Sequence, residues 1–536
     1  MGTADLDKVV QDGYGFNVPV LELGAAAVGT ETHPADKVRI PLQMMNRHGL
    51  VAGATGTGKT KTLQLLTEQL SDAGTPVFLV DIKGDISGLG APGAMNDKIK
   101  ARLDQVGQTD WQPKGFPVEF MTLERNDRGV RLRATVGSFG PILLSKVLQL
   151  NDTQESVLSL VFKYADDQKL PLVDLSDLRA VLNYLNGDAG KAAMADYGGI
   201  APATVGVILR AIVGLEQQGA GDFFGQPEFD VEDMLTTRDG QGLVSILEVA
   251  DMQDRPKLFS TFMMWLLAEV YHTLPEVGDV DKPKLVFFFD EAHLLFEEAN
   301  QSFLDQIEMV VRLVRSKGVG VFFVTQSPED VPAKVLAQLG NRVQHALRAF
   351  TPDDQKMIQA TARTFPMTDL YNVQTELTSL GTGEGLVTVL SPRGVPTPTV
   401  HCVMRPPRSL MAQLDPNAYG AIIAASKLVP EYGTDVDPQS AKEMLQARMA
   451  QAQAQAQQVP AAGAGGPWGD IEASARSQGR AQARSQGRAS SRGGAGMDIE
   501  EAAKLGTRIL TSSTTNTLLR GIFGTLTGTP AKRRRR

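Results

Sequence analysis

The amino-acid sequence predicts an α/β protein with a mostly parallel sheet flanked by helices, a helical insertion and a partly disordered C-terminal tail. From residue 49 onward, apolar runs of strand length alternate with segments of helical periodicity, which is typical of a parallel sheet. Residues 141–240 instead carry apolar positions at helical spacing alone. Residues 459–498 are rich in Ala, Gly, Ser and Arg and contain too few apolar residues to form a core.

The predicted core strands are short, apolar and separated by turn residues. They fall at residues 50–52, 76–80, 118–122, 243–249, 285–289, 319–324, 342–347 and 386–390, and a helix is predicted over residues 59–73. A chain of 536 residues is too long for one compact core. We predict a short N-terminal β leader (1–45), a core in two parts (46–140 and 241–410) and the helical insertion (141–240). A helical extension (411–458), a disordered linker (459–498) and a short apolar segment with a basic tail (499–536) follow.

The composition excludes several classes of protein. Hydrophobic residues make up 42% and charged residues 21% of the chain, as in ordinary globular proteins. The single cysteine, Cys402, excludes an internal disulfide and a thiolate metal cluster, and it favours a reducing compartment. No apolar run approaches the roughly 20 residues that cross a bilayer, and the N-terminus lacks a signal-peptide pattern. We therefore expect a cytoplasmic protein with no membrane partner.

The net charge of -8 hides an asymmetry along the chain. Residues 459–536 contain 13 Lys/Arg and 5 Asp/Glu, a net +8, which leaves 40 basic and 56 acidic residues, a net -16, for residues 1–458. An acidic body argues against phosphate-backbone binding over its whole surface but leaves room for a locally basic channel. The basic tail is either a DNA contact or a solvated extension.

A glycine-rich motif follows the first core strand. The segment Gly53-Ala-Thr-Gly-Thr-Gly-Lys-Thr60 fits the G-x-x-x-x-G-K-[ST] pattern, with a predicted strand before it and a helix after it. In such a loop, backbone N–H groups surround phosphates, Lys59 reaches the β and γ oxygens, and the Thr60 hydroxyl binds Mg²⁺. The alternative is a glycine-rich turn without a ligand. The predicted cofactors are ATP and Mg²⁺, and the predicted binding residues are Gly53, Ala54, Thr55, Gly56, Thr57, Gly58, Lys59, Thr60 and Lys61.

Two adjacent carboxylates end the strand predicted over residues 285–289. The carboxyl ends of parallel strands meet at one edge of a sheet, so Asp290 and Glu291 are expected near the glycine-rich loop. Asp290 can then hold Mg²⁺ through water, and Glu291 can orient and deprotonate an attacking water. Alternatively, Asp290 only caps the following helix. His293 either links the nucleotide to a neighbouring element or is structural.

Further polar residues are candidates for the same site. Gln326 follows an apolar strand and either senses the γ-phosphate or catalytic water, or begins a polar loop. Arg312 and Arg315 lie three residues apart on a predicted helix and so share one surface of it. Either one contacts the nucleotide phosphate of a neighbouring subunit, or both are solvated charges. Asp81 and Lys83 either face the nucleotide, or Asp81 caps a loop and pairs with Lys83.

Several motifs of the chain resemble those of HerA-type ATPases of the HerA/FtsK superfamily. The resemblance covers residues 14–410 and includes a short segment at residues 508–528. A closer resemblance, to the bacterial DUF853 group, is carried by residues 46–60 and by Val80-Asp-Ile-Lys-Gly-Asp-Ile-Ser-Gly88. The other motifs are Phe287-Phe-Phe-Asp-Glu-Ala-His293, Arg315-Ser-Lys-Gly-Val-Gly-Val321, Thr325-Gln-Ser-Pro328, Asn341-Arg342 and Leu347-Arg-Ala-Phe-Thr-Pro-Asp-Asp-Gln355.

The resemblance implies a RecA-like P-loop NTPase core and a homo-oligomer, a hexameric ring with ATP between subunits. It implies that Arg315 contacts nucleotide in or across the interface, and Arg348 is a second candidate. HerA-type proteins are DNA translocases that work with a nuclease partner. The predicted leader of about 45 residues is too short for the N-terminal β-barrel with which they dock partners, so the resemblance is weakest for the nuclease partnership, and a protein partner remains among the expectations.

The function predicted from the residues and the resemblance is ATP hydrolysis that drives translocation or remodelling of DNA. Its predicted catalytic residues are Glu291, Lys59, Gln326 and Arg315. The alternative is an ATPase that remodels or organises protein partners without moving along nucleic acid, and the acidic body fits this reading. A small-molecule kinase is disfavoured, because a glutamate beside the Mg²⁺ aspartate is arranged to activate water.

Overall fold

The computed structural model describes residues 3–126, 128–194, 197–249, 255–296 and 301–458. The chain divides into two compact units, Met1–Pro438 and Gln439–Arg536. The strands of the first unit are β1 (Val20–Val28), β2 (Glu31–Pro41), β3 (Gly49–Ala52), β4 (Val77–Asp81), β5 (Val118–Thr122), β6 (Val130–Arg131), β7 (Thr237–Arg238), β8 (Gln241–Gly242), β9 (Val244–Glu248), β10 (Leu285–Phe289), β11 (Val319–Thr325), β12 (Asn341–Gln344), β13 (Glu384–Thr388) and β14 (Val400–Met404).

Helices lie between most of these strands. They are α1 (Thr3–Tyr14), α2 (Lys59–Asp72), α3 (Asp97–Val106), α4 (Val136–Val147), α5 (Asp152–Asp167), α6 (Leu175–Asn186), α7 (Asp188–Ala193), α8 (Pro202–Glu216), α9 (Ala220–Phe223), α10 (Pro256–Thr273), α11 (His293–Phe296), α12 (Gln301–Val314), α13 (Ala333–Leu336), α14 (Pro352–Ala362), α15 (Val373–Ser379), α16 (Pro416–Ala425) and α17 (Val429–Tyr432). No helix within the described ranges is both long and apolar enough to span a membrane.

Twelve strands form one sheet in the order β2-β1-β14-β13-β12-β3-β11-β10-β4-β9-β5-β6. Every neighbouring pair from β12 to β6 is parallel, whereas the pairs from β2 to β12 are antiparallel. Parallel strands joined through helices produce a sheet covered on both faces. The mostly parallel sheet flanked by helices that the sequence predicts is therefore confirmed.

The central strands carry continuous apolar sequences because both of their faces are buried. Every residue of β4, β10 and β11 is buried. In β10, the ring of Phe287 lies 5.4 Å from that of Phe78, and the ring of Phe288 lies 5.2 Å from that of Phe322. Consecutive side chains of a strand point to opposite faces, so these two contacts lie on the two sides of the sheet.

The N-terminal segment is more than the β leader that the sequence predicts. It begins with α1, and β1 and β2 extend the large sheet by antiparallel pairing. The Tyr14 hydroxyl at the end of α1 donates hydrogen bonds to the carbonyls of Val387 (2.9 Å) and Pro398 (2.6 Å). The start of the chain is thus attached to the segment around β13.

A run of helices, α4 to α9, separates β6 from β7 and occupies much of the segment 141–240. Asn151 begins α5 with a capping box, in which its side chain accepts from the Gln154 backbone N–H and the Gln154 side chain accepts from that of Asn151, both at 3.0 Å. Such reciprocal caps satisfy N–H groups that the helix itself leaves unpaired.

The second unit contains one further helix among the described residues, α18 (Ala441–Gln458). This agrees with the helix-prone Ala/Gln-rich sequence of that stretch. The predicted linker (459–498) and the predicted apolar segment with its basic tail (499–536) lie outside the described residues.

Candidate nucleotide-binding site

The glycine-rich loop connects β3 to α2 at the carboxyl edge of the parallel strands. Gly53, Gly56 and Gly58 have φ angles of 155°, 78° and 117°, which favour glycine over residues with a Cβ atom. A Cβ atom on Gly53 would also lie 2.5 Å from the Cβ atom of His345. The loop therefore has the backbone geometry for which the motif selects glycine, and Lys59 begins the helix that follows it.

Backbone hydrogen bonds attach the glycine-rich loop to the two strands that neighbour β3. The Gly53 N–H donates to the carbonyl of Thr325 at the end of β11 (3.2 Å), and the Ala54 N–H donates to the carbonyl of Ala346 after β12 (2.8 Å). β3 lies between these two strands, so the loop is fixed on both sides of the strand that precedes it. This support pre-organises the loop before a ligand arrives.

His345 is a supporting residue that the sequence analysis did not identify. Its Nδ1 lies 2.7 Å from the Glu384 carbonyl, and its Nε2 lies 2.9 Å from the Thr62 hydroxyl in α2. A carbonyl only accepts, so Nδ1 carries the proton and Nε2 accepts from Thr62. Burial lowers the pKa of His345 to about 4, so the ring is neutral at pH 7. No local sequence pattern marks this role, because β12 (Asn-Arg-Val-Gln) is mostly polar and His345 lies within the strand predicted over residues 342–347.

Acidification is expected to destabilise the protein partly through His345. Its folded-state pKa of about 4 lies below the usual value of about 6.5, so the unfolded chain takes up the proton first as the pH falls. The associated stability is present above pH 6.5 and is lost between about pH 6.5 and 4, to a total of about 3 kcal/mol. His345→Gln should therefore lose about 2 kcal/mol less stability than wild type between pH 7 and 4.5, measured from unfolding curves. Equal losses in both proteins would contradict this assignment.

Lys59 lies buried within the glycine-rich loop. Its ammonium donates to the carbonyls of Gly53 (2.6 Å) and Ala54 (3.2 Å). Burial lowers the pKa of Lys59, and the negative charge of Glu291 opposes this shift. A flexible four-carbon stem allows such an ammonium to leave carbonyl oxygens for phosphate oxygens.

Asp290 and Glu291 follow β10 at the same edge of the sheet. Asp290 is 2% exposed, and its Oδ1 accepts from the Glu291 backbone N–H at 2.9 Å. Its Oδ2 is buried and accepts no hydrogen bond from any described residue. Burial, reinforced by the charge of Glu291, raises the pKa of Asp290 to about 7. A buried carboxylate oxygen without a donor suits a hydrated Mg²⁺, so Asp290 fits the predicted metal role.

Glu291 adopts a left-handed backbone conformation, with φ at 48°. Such a conformation is uncommon outside glycine, asparagine and aspartate, and is found at functional sites. One carboxylate oxygen, Oε1, accepts from the Lys83 ammonium, and the other, Oε2, lies 3.4 Å from Nδ1 of His293. The structure thus brings Glu291, Asp290 and His293 together beside the glycine-rich loop.

Asp81 and Lys83 have separate roles. The Asp81 carboxylate accepts from the backbone N–H groups of Lys83 (3.1 Å), Gly84 (2.8 Å) and Ile86 (3.0 Å), so Asp81 caps the loop that follows β4. The side chain of Lys83 pairs with Glu291. Of the two alternatives predicted from the sequence, the loop cap is correct for Asp81. The predicted pairing of Lys83 with Asp81 is wrong, because the Lys83 side chain pairs with Glu291.

Gln326 and Arg348 also lie at the carboxyl edge of the parallel strands. Gln326 follows β11 and lines an open pocket of about 460 Å³ together with His293, Phe296, Glu329, Asp330 and Pro332. Arg348 follows β12 on an exposed loop, where it donates to the carbonyl of Thr378 at 3.3 Å. Both residues are therefore on the side of the sheet that the sequence analysis assigns to nucleotide.

Two predicted residues point elsewhere. The Lys61 ammonium donates to the carbonyl of Met411 at 2.8 Å, so it supports the segment after β14. Arg315 is exposed and precedes β11, at the opposite end of this seven-residue strand from the glycine-rich loop. That strand is about 23 Å long, so Arg315 cannot reach the loop of its own chain. Arg312, one turn earlier, is exposed as well.

The loop after β3 and the carboxylates after β10 define a P-loop nucleotide-binding protein. The family model "Helicase HerA-like C-terminal" matches residues 27–534, and the chain belongs to this family. The resemblance to HerA-type ATPases is thereby confirmed, while the closer resemblance to the DUF853 group stays a prediction. Among curated proteins, no significant match was found.

Solved structures to which the chain is similar include the coupling protein TrwB and VirB4. The bacterial conjugative coupling protein TrwBdeltaN70, in its unbound monoclinic form, is 16% identical, with 76% of this chain and 94% of that chain covered and a TM-score of 0.48. The plasmid coupling protein TrwB in complex with ADP and Mg²⁺ is 16% identical, with coverages of 75% and 98% and a TM-score of 0.48. VirB4 of Thermoanaerobacter pseudethanolicus is 13% identical, with coverages of 76% and 99% and a TM-score of 0.42.

Proposed function

We propose that this protein is a Mg²⁺-dependent ATP hydrolase that uses ATP to translocate or remodel DNA. The observation that carries the proposal is the convergence of Lys59, Asp290 and Glu291 at the carboxyl edge of the parallel strands, beside a pre-organised P-loop. Membership of the HerA-like family supports the same chemistry. A cytoplasmic location remains a prediction, supported by the single cysteine.

Each residue has a distinct role in the proposed reaction. Lys59 exchanges the carbonyls of its own loop for the β and γ oxygens of ATP and stabilises the charge that develops on them. Asp290 and Thr60 hold Mg²⁺, which neutralises phosphate charge when bound. Glu291 orients a water and accepts its proton during attack on the γ-phosphorus. Gln326 contacts the γ-phosphate or the attacking water from the end of β11.

The proposal includes a homo-oligomer, in the form of a hexameric ring. Arg315 cannot reach the P-loop of its own chain, so a contact with nucleotide has to be made on a neighbouring subunit. Arg348 is already at the nucleotide edge and is exposed. It is the second candidate for such a contact.

A second candidate function is the remodelling of a protein partner. The observation that favours it is the net -16 of residues 1–458, since an acidic surface repels a phosphate backbone. The net +8 of residues 459–536 favours DNA. The two functions therefore differ in whether nucleic acid changes the rate of hydrolysis.

Steady-state ATP hydrolysis tests the choice between them. The protein is assayed alone and with duplex DNA, single-stranded DNA or RNA, at two salt concentrations, beside Glu291→Gln as the inactive control. We expect several-fold stimulation by DNA that weakens at the higher salt concentration, because phosphate contacts release counterions. Turnover that no nucleic acid changes would reject the DNA motor and favour the protein-remodelling function.

A further inference from the structure

Lys83 and Glu291 form an ion pair beside the candidate phosphate site. The Glu291 side chain is 6% exposed, whereas that of Lys83 is 42% exposed. The lysine is thus the partner that is free to reorient, and the glutamate is the partner that the protein holds in place. Lys83 belongs to the loop after β4, and Glu291 is the residue that we assign as the general base. The ion pair therefore connects this loop to the general base.

The backbone of the Lys83 loop is fixed. Three of its N–H groups, including that of Lys83 itself, donate to the buried carboxylate of Asp81. The Gln413 side chain also donates to the carbonyl of Lys83, at 3.4 Å. Any change of partner by Lys83 therefore takes place in its side chain, without a rearrangement of the loop.

The ion pair restrains Glu291. The Lys83 ammonium occupies Oε1, so this oxygen is directed at Lys83 and is not available to hydrogen-bond to a water. The other oxygen, Oε2, is buried and accepts no hydrogen bond from the described residues. Oε1 can therefore contact an attacking water only after Lys83 has left it.

A second anion can take Lys83 away from Glu291. Glu291 follows β10 at the carboxyl edge of the sheet, beside the P-loop, and β4 and β10 are neighbours, so the Lys83–Glu291 pair borders the space of the phosphate groups. A bound nucleoside triphosphate brings more negative charge to this space than one carboxylate carries. A diphosphate lacks the terminal phosphate that would lie on the Glu291 side of the P-loop.

We propose that Lys83 exchanges the Glu291 carboxylate for the terminal phosphate of a bound nucleoside triphosphate, so that the base is released only when ATP is present. This deepens the proposed function and depends on it. Lys83 acts as a positioning residue, since it controls Glu291 and does not itself activate water. The ion pair then keeps Oε1 of Glu291 in contact with Lys83 until a triphosphate is bound.

A double-mutant cycle tests the exchange. The affinities of a non-hydrolysable ATP analogue and of ADP, both with Mg²⁺, are measured for wild type, Glu291→Gln, Lys83→Met and the double variant. Glu291→Gln removes the pair that the triphosphate has to break, so it should bind the analogue more tightly than wild type. We expect this gain to be about 5-fold larger with Lys83 present than in the Lys83→Met background, while ADP shows no such coupling.

Two controls accompany the cycle. Lys163→Met removes the same charge from an exposed pair with Asp167 and should leave the Glu291→Gln gain unchanged. Lys83→Arg keeps a cation at the site and should keep most of the coupling. Thermal unfolding is measured for Lys83→Arg and for Lys83→Met. If both variants unfold as wild type does, a loss of coupling in Lys83→Met results from the lost charge and not from a damaged structure.

The outcomes are distinct. An equal Glu291→Gln gain with and without Lys83, or the same coupling for ADP as for the analogue, overturns the exchange while leaving the ATPase proposal intact. A wild-type protein that binds neither nucleotide refutes the ATPase proposal, and the exchange with it. A coupling seen only with the triphosphate analogue supports the exchange.

Discussion

Glu291→Gln is expected to bind ATP as wild type does, or more tightly, and to hydrolyse it roughly 10²–10⁴-fold more slowly. The amide keeps the size of the side chain but cannot accept the proton of the attacking water. Glu291 is buried beside Asp290, which is assigned to Mg²⁺, so the amide removes the carboxylate that the proposal assigns to the water. Single-turnover hydrolysis and equilibrium binding of ATP measure the two effects separately. Because ATP then stays bound, the mass of this variant in sedimentation also reports the ATP-bound oligomer.

The matched control for this prediction is Glu276→Gln. It makes the same chemical change on an exposed residue in the segment between α10 and β10, at the end of β10 remote from the P-loop. We expect the control to hydrolyse ATP at the wild-type rate. Normal turnover by Glu291→Gln would show that another group activates the water, and the assignment of the general base would be wrong.

Lys59→Ala is expected to weaken binding of ATP by roughly 100-fold or more and to abolish measurable turnover at ordinary ATP concentrations. Charge-assisted hydrogen bonds contribute about 1.5–3 kcal/mol each, and Lys59 is placed to make such bonds to both the β and γ oxygens. The ammonium donates to the carbonyls of Gly53 and Ala54 in its own loop, which places it at the centre of the proposed phosphate site. Titration with ATP and with ADP measures the loss.

Lys163→Ala provides the matched control for Lys59, because it removes an equal charge from an exposed surface pair. Surface ion pairs contribute little to stability, so this variant should bind ATP and unfold as wild type does. Thermal unfolding of Lys59→Ala checks that the P-loop region still folds. An unaltered ATP affinity in folded Lys59→Ala would contradict the proposed phosphate site.

The sequence predicts those parts of the site that depend on local patterns. The glycine-rich loop and the residues after β10 are contiguous segments whose residue types define their chemistry, so Lys59, Asp290 and Glu291 can be recognised without a structure. The position of the carboxylates at the loop's edge follows from the parallel arrangement of the strands. The roles of Gln326 as a phosphate or water sensor and of Arg348 as a nucleotide contact remain proposals. The first comes from the position of Gln326 after a strand, and the second comes from the resemblance to HerA-type ATPases.

The sequence does not predict contacts that depend on strand order. Lys83 meets Glu291 because β4 and β10 are neighbours, with Val80 opposite Phe289, although 208 positions separate the paired side chains. His345 supports α2 for the same reason, through the pairing of β12 with β3. Local periodicity gives the type of each element but not its partner across the sheet.

The antiparallel edge was only partly predicted. The residues of β1 and β2 have β-like sequences, which suggested a separate leader. Nothing local indicates that β1 pairs with β14, where Ala25 lies opposite Val403. The helix α1 (Thr3–Tyr14) is absent from the prediction, because the β-like stretches that follow it indicate a leader made of strands.

The position of β3 in the middle of the sheet has a consequence for synthesis of the chain. The P-loop is among the first parts of the core to be made, yet its backbone partners are Thr325, Ala346 and Gly383. At the usual rate of translation, roughly 20–60 s pass between the synthesis of residue 60 and that of residue 383. During this interval the nascent phosphate loop lacks the strands that shape it. Nucleotide therefore cannot guide the early folding of this protein and can stabilise only a nearly complete chain.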